Sequence, residues 1–494
     1  MRQRRTGAPG AHGPLMIQEP FSPAGAAWLR LPLFKEALPL VLTPVLLAGW
    51  WYRYSLPRFV RRAYLALLGL VILAFGTLCL SRAAHNVEQP PQWDVESFWL
   101  FGKVAAAGYD FYLPSSFYAV ADSLRAAGQP VSSDDEFRQM VFDPAVPYPP
   151  VTMLAFAPLG AFDLHTGALV WYAALVVALV AVVLLLWRTF FETSGWWGLA
   201  FTAAMVLTLR PVYSTFAFGQ TSLFLLIALL LFWRNRDRIP GGVYLALAMS
   251  VKPIGAFFVS FPLAVRQWRQ VLATILAIVA LVGVTALAFG TEVLTTFVTT
   301  DLVDRLPETV FTTHVNQSLL GILVRATDPD ASSGSPLWNP AFLAMSFAIV
   351  TLTFALAVKL GAARSSLAIA LGVPAALLAY PQTLEHYGVL LLIPILFLWT
   401  HQKELGVSPV AAILFLTAEY ALVRADEGGL AFFGFALCWL TFMAIAIRVI
   451  RHPTASVPTP LAARDTTAVP SRVTIPPGAG LPPRATVPPR VTVP

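Results

Sequence analysis

The sequence predicts an all-α polytopic membrane protein, and three observations lead there. Of 494 residues, 57% are hydrophobic and only 12% charged, against about 25% charged in an ordinary soluble domain. The apolar residues gather into runs of spanning length, and mean hydropathy is +0.69. The basic residues stand mostly at the ends of those runs. So few charges cannot cover a water-soluble surface, which excludes a cytosolic enzyme or a nucleic-acid factor. The 33 basic and 26 acidic residues give +7, a balance that here describes topology rather than affinity for polyanions. Cys79 and Cys438 both lie inside apolar stretches, so neither a disulfide nor a thiolate metal site is expected.

A spanning helix needs about 20 mostly apolar residues. Ala63–Leu80, Ala168–Trp187, Thr193–Leu209, Pro211–Trp233, Val271–Phe289, Ala341–Val358, Ser365–Leu384 and Gly428–Ile447 meet that requirement. Shorter runs at Gly241–Val251, Ile254–Val265, Tyr387–Thr400 and Ser408–Val423 read as tilted, broken or hairpin helices, and Lys252-Pro253 marks a break between the first two. The count is about 12 spans. Arg58, Arg61 and Arg62, then Arg188, Arg234, Arg236, Arg238, Arg266, Arg269, Lys359, Arg364, Lys403, Arg448 and Arg451 fall at alternate loops, which are expected to be cytoplasmic. The loops 82–164 and 290–340 and those around Glu385 and Asp426 then face outward. Residues 1–36 read as a disordered tail without the apolar core of a signal peptide. Residues 37–62 hold an interfacial or extra transmembrane helix at Leu38–Trp51, and 63–451 form the transmembrane domain. Residues 452–494 read as a disordered, Pro-rich cytoplasmic tail with a loose Arg-x-Thr-x-Pro repeat.

No P-loop, GxGxxG after a strand, HExxH or GxSxG elbow is present. The informative feature is the outward loop 82–164, far longer than a connection needs to be. Asp94, flanked by Trp93 and Trp99, is placed to act as general base toward a hydroxyl at the lipid–water boundary, or else to cap a juxtamembrane helix. Trp93, Trp99, Tyr109, Tyr112, Tyr118 and Tyr148 suit either sugar stacking or an interfacial aromatic belt. Lys252 is the only charge between Ile239 and Arg266. A buried ammonium is expensive in lipid, so it either meets a lipid phosphate or snorkels to the headgroups. Glu385-His386-Tyr387 suits phosphate binding or proton transfer, or helix capping and packing. Gly219-Gln220-Thr221 and Asn316-Gln317-Ser318, with Arg325, are further polar groups at membrane edges. Glu419 reads as a buried structural acid, and Asp134-Asp135-Glu136 as a solvated face rather than a metal cage.

These residues, in this order, resemble glycosyltransferase family 87 of the GT-C superfamily, whose members use polyprenyl-phosphate sugars. The resemblance rests on the Asp94 loop with Gly108-Tyr109-Asp110 and Tyr112, Tyr148-Pro149-Pro150, Phe156-Ala-Pro-Leu159, Gly219-Gln220, Lys252-Pro253, Asn316-Gln317-Ser318-Leu319 with Arg325, and Glu385-His386-Tyr387. Tyr380-Pro381-Gln382-Thr383-Leu384 stands where the family pattern leads in with Ser-Pro-x-Ser-Trp. The resemblance implies a GT-C type bundle with outward juxtamembrane helices in a bacterial cytoplasmic (inner) membrane, its active site facing outward. It implies inverting transfer of a hexose, mannose first among the candidates, from a polyprenyl phosphate to a glycolipid, polysaccharide or protein acceptor, with no nucleic-acid partner. Asp94 would be the catalytic base, and Lys252, His386 and Arg325 would hold the donor phosphate. Glu385, Tyr387, Gln220, Asn316, Gln317, Tyr109, Tyr112 and Tyr148 would line the substrate site, with neither metal nor cofactor. A lipid-linked-sugar transporter or flippase, distinguished by inverted repeats and paired broken helices in both halves, and an oligosaccharide ligase of the same superfamily are the alternatives.

Overall fold

The computed structural model describes residues 38–89, 93–129, 131–132, 141, 148–299, 311–327, 336–423 and 430–452. Both tails, the Asp134–Glu136 acidic run and the loop around Asp426 lie outside them. All but a few turns and connections of the described residues are helical, with a lone antiparallel bridge between Asn316 and Leu384. Six segments are long and apolar enough to cross a membrane: Arg58–Glu88, Leu164–Thr208, Trp268–Phe289, Pro340–Leu360, Ala362–Ala379 and Leu430–Arg451. Six shorter apolar helices accompany them. Outward-turned apolar side chains such as Leu287, Val279 and Phe347 suit a lipid surround. The protein is membrane-integral.

Helix α1 (Leu38–Tyr52) buries Leu46, Leu47 and Trp50 and is tied down by the Tyr64 hydroxyl, which donates to Leu46 O at 2.7 Å. The α2 helix (Arg58–Glu88) continues past the expected Leu80 end for eight further residues. At about 1.5 Å per residue its 31 residues reach about 46 Å, beyond an apolar core of about 30 Å. Its far end therefore carries the chain out to α3 (Trp93–Ala106). Helix α3 lies on the short turns at 150–161, where Gly102 and Gly160 are in backbone contact and a Cβ on either would overlap the other strand of chain. Phe98 stacks on Phe156 at 4.4 Å, and Phe101, Tyr148 and Trp171 pack around them. Such pairs contribute about 0.5–1.5 kcal/mol each beyond their buried area. Trp99 is fully buried and donates to Phe162 O at 3.0 Å, so it serves the core rather than a membrane belt. Helix α4 (Pro114–Ala126) completes this cap.

Next come α5 (Leu164–Leu186), α6 (Gly195–Thr208), α7 (Arg210–Phe218), α8 (Ser222–Arg234) and α9 (Pro240–Val251). Here the structure corrects the sequence reading. Pro211–Trp233 is not one span: it breaks at Gly219, which adopts a left-handed φ of 68°, a region glycine enters without steric cost. Asn86, at the end of α2, holds the last carbonyls of α7 by donating to Phe216 O at 3.2 Å and Ala217 O at 3.0 Å. Helices α8 and α9 pack side by side from the turn at 235–239. Their 13 and 12 residues give arms of about 20 and 18 Å. The two breaks, at Gly219–Thr221 and at Lys252-Pro253, therefore lie at one level.

Candidate active site

Asp94 sits in the first turn of α3 and is drawn in from solvent by the packing of that helix. Lys252 terminates α9, because Pro253 has no amide hydrogen to extend the helix. Its ammonium is buried and donates to Gln220 Oε1 at 3.2 Å. It also lies 4.4 Å from the ring centroid of Tyr387 and 5.2 Å from that of Tyr148, within cation–π range. The Gln220 amide and the Lys252 ammonium both act on the Asp94 carboxylate and favour its ionised form. Burial nevertheless pushes Asp94 up to about 6, against the pull of Gln220 and Lys252. A carboxylate so placed takes up a proton readily near neutral pH, as a general base requires.

The rest of the predicted set falls into two groups. Tyr148 and His386 join Asp94, Gln220, Lys252 and Tyr387. His386 is buried, packs edge-on against Tyr387 at 4.7 Å, and its Nε2 has no hydrogen-bond partner among the described residues. Tyr112 supports this cluster by donating its hydroxyl to Tyr148 O at 2.6 Å. Asn316, Gln317 and Arg325 instead brace the backbone that delivers His386 and Tyr387. The Asn316 amide donates to Pro381 O at 3.0 Å, Gln317 N donates to Thr383 O at 2.7 Å, and Glu385 N donates to Val315 O at 3.2 Å. Arg325 Nη1 holds Thr313 O at 2.7 Å and Asn316 O at 2.8 Å. Tyr109 stands 49% exposed on the surface.

Sequence reasoning missed several residues of this architecture. Arg210 Nε lies 3.5 Å from the buried carboxylate of Glu385, giving that acid a cation of its own. Trp171 Nε1 donates to Gly219 O at 2.6 Å and pins the break. On the far face of α3, Glu96 accepts from Ser132 N at 2.7 Å, and burial pushes its carboxyl up to about 7. The spacing Asp94-Val-Glu96 was the available signal, since residues two apart leave a helix on different faces. Among the described residues no group of three His, Cys, Asp or Glu side chains is arranged to hold a metal ion. Cys79 and Cys438 are buried free thiols.

Fold and site together define a membrane-integral helical protein that gathers a half-buried carboxylate, a buried ammonium and aromatic side chains where two helices break. Residues 147–381 match the model of Glycosyltransferase family 87, so just under half of the chain is similar to this family. The matched region contains Tyr148, Gln220 and Lys252; Asp94, Glu385, His386 and Tyr387 lie outside it. Two similar proteins are polyprenol-phosphate-mannose-dependent alpha-(1-2)-phosphatidylinositol pentamannoside mannosyltransferases. The one from Mycobacterium tuberculosis is 28% identical over 190 residues, 38% of this chain and 44% of that protein. The one from Mycolicibacterium smegmatis is 28% identical over 191 residues, 38% and 45%. A polyprenol-phosphate-mannose-dependent alpha-(1-2)-phosphatidylinositol mannoside mannosyltransferase from Mycolicibacterium smegmatis is 30% identical over 193 residues, 36% and 43%. The chain thus aligns with less than half the length of these relatives. No solved structure matches.

Proposed function

We propose that this protein is a membrane glycosyltransferase that moves mannose from a polyprenyl phosphate to a hydroxyl of a phosphatidylinositol mannoside-like glycolipid. The observation that carries the reading is the Asp94–Gln220–Lys252 cluster: a half-buried base beside a buried amide and a buried cation. Donor and acceptor follow the names of the similar proteins. In the proposed reaction the acceptor oxygen attacks the anomeric carbon from the face opposite the phosphate, and configuration inverts. The acceptor proton passes to Asp94, the C1–O bond to phosphate breaks, and its electron pair leaves on the polyprenyl phosphate. Lys252 takes up the negative charge that develops there, with His386 Nε2 as a second partner. A phosphate leaving group needs no general acid, so one carboxylate suffices (glycoside hydrolysis uses two). The bundle is proposed to be of GT-C type, with about 12 membrane-embedded helices and this site facing outward across a bacterial cytoplasmic membrane.

One observation favours a second reading. Helix breaks such as those at Gly219–Thr221 and Lys252 also occur in transporters, where they recur in two repeated halves, so a lipid-linked-sugar transporter or flippase is the alternative. Proteoliposomes holding the purified protein, radiolabelled polyprenyl-phosphate-mannose and phosphatidylinositol mannoside separate the two. Label appearing in a larger glycolipid supports transfer. Label crossing the bilayer on unchanged donor supports transport and overturns the first reading.

A further inference from the structure

The side chain of Gln220 touches both charged groups of the cluster. Lysine only donates and a carboxylate only accepts, so a single amide orientation satisfies both. Oε1 accepts from the Lys252 ammonium at 3.2 Å, which leaves the amide NH2 as the group that can face Asp94. Little room is left for it to turn. Gln220 is buried, its backbone N–H donates to Thr215 O at 2.9 Å, and Gly219 before it is fixed by Trp171. Val95, next to Asp94 on α3, packs so closely on Gly219 that a Cβ there would overlap its Cγ2. The break and the base-bearing helix are therefore fitted to each other, with Gln220 at the join.

We propose that Gln220 is a positioning residue that holds Asp94 in its ionised form and keeps Lys252 from closing onto it, leaving the ammonium for a phosphate oxygen. This rests on the transferase reading of the same site. A donor to the charged form of a carboxylate favours that form. Direct contact would join the two charges into one buried ion pair and occupy both groups. The other titratable groups facing Asp94 are Lys252, Tyr148, Tyr172 and Tyr387, and all of them remain when Gln220 alone is changed.

The test needs no turnover. In infrared difference titration of the full-length protein in nanodiscs, the protonated-carboxyl band absent from Asp94→Asn reports Asp94 itself. Gln220→Leu and Gln220→Met keep the volume but lose the donor, and the midpoint of that band should move to higher pH by about one unit in both. The acid limb of kcat should move with it, and activity should return at high pH. An unchanged midpoint in either folded variant overturns the proposal, as does a wild type with no Asp94-dependent band. Activity lost at every pH with the band shifted also contradicts it, because Gln220 would then be contacting substrate. If the wild type itself transfers no sugar, a shifted midpoint in the variants would leave Gln220's effect on Asp94 standing and remove the transferase reading.

Discussion

Replacing Lys252 by methionine should abolish most of the transfer while sparing the fold. The ammonium is buried, 3.2 Å from Gln220 Oε1 and 4.4 Å from the Tyr387 ring centroid. A phosphate oxygen brought to about 4 Å from it would gain about 4 kcal/mol at an effective dielectric of about 20. Removing one preorganised electrostatic partner of this kind typically lowers kcat by about 10²–10³, or about 2.7–4 kcal/mol. Stability should respond differently. Methionine has a similar length, the lost cation–π contacts are worth about 0.5–2 kcal/mol, and an uncompensated desolvation of several kcal/mol disappears with the charge. Asp94 retains its bond from Gln220 and can take up a proton. The net change in stability should therefore be within about 1 kcal/mol. Initial rates at saturating donor in nanodiscs, measured at pH 8 beside thermal unfolding, read both effects. A rate within about threefold of wild type would refute the phosphate role; loss of the fold together with the rate would make Lys252 a structural residue.

Two further outcomes follow from the carboxylates of α3. Because Asp94 is pushed up to about 6 and must be ionised to act as base, kcat should rise with pH along an acid limb centred near 6, to be read from initial rates across pH 5–7. Stability should run the other way at this group. Its folded value exceeds the ordinary 3.8, so protonation favours the fold, and that contribution is lost as pH rises from about 4 to 6, visible as a falling Tm. Glu96 is pushed up to about 7 and uses one oxygen to accept from Ser132 N. Glu96→Gln keeps that acceptor without the charge, so activity should stay within about threefold and Tm should hold or rise at pH 8; a large loss of rate would make Glu96 part of the chemistry.

The membrane character of the chain was legible because hydrophobicity and the placement of arginines are one-dimensional properties. Helix breaks were less so. Pro211–Trp233 reads as one span because nothing charged interrupts it; the Gly219-Gln220-Thr221 triplet was the signal, but only contact with Lys252 shows that the chain unwinds there. At the site, Asp94 and Lys252 stood out because an ionisable group among aromatics or in lipid is expensive. Asn316, Gln317 and Arg325 looked equally notable, yet they brace the 381–385 segment. Sequence cannot separate these cases, since a polar side chain that binds a ligand and one that satisfies a buried carbonyl are selected by the same low dielectric. The Glu385–Arg210 pair was hidden by a separation of 175 positions along the chain.

The most direct measurement compares wild type with Asp94→Asn in nanodiscs supplied with radiolabelled polyprenyl-phosphate-mannose and phosphatidylinositol mannoside. The asparagine preserves the shape of the side chain and its contact with Gln220 but removes the base. Wild type should convert label into a larger glycolipid. The variant should fold, retain donor binding and lose transfer by at least about 10², the lower range for a positioned base. Comparable transfer by both proteins would contradict the assignment of Asp94, and with it the account of the site.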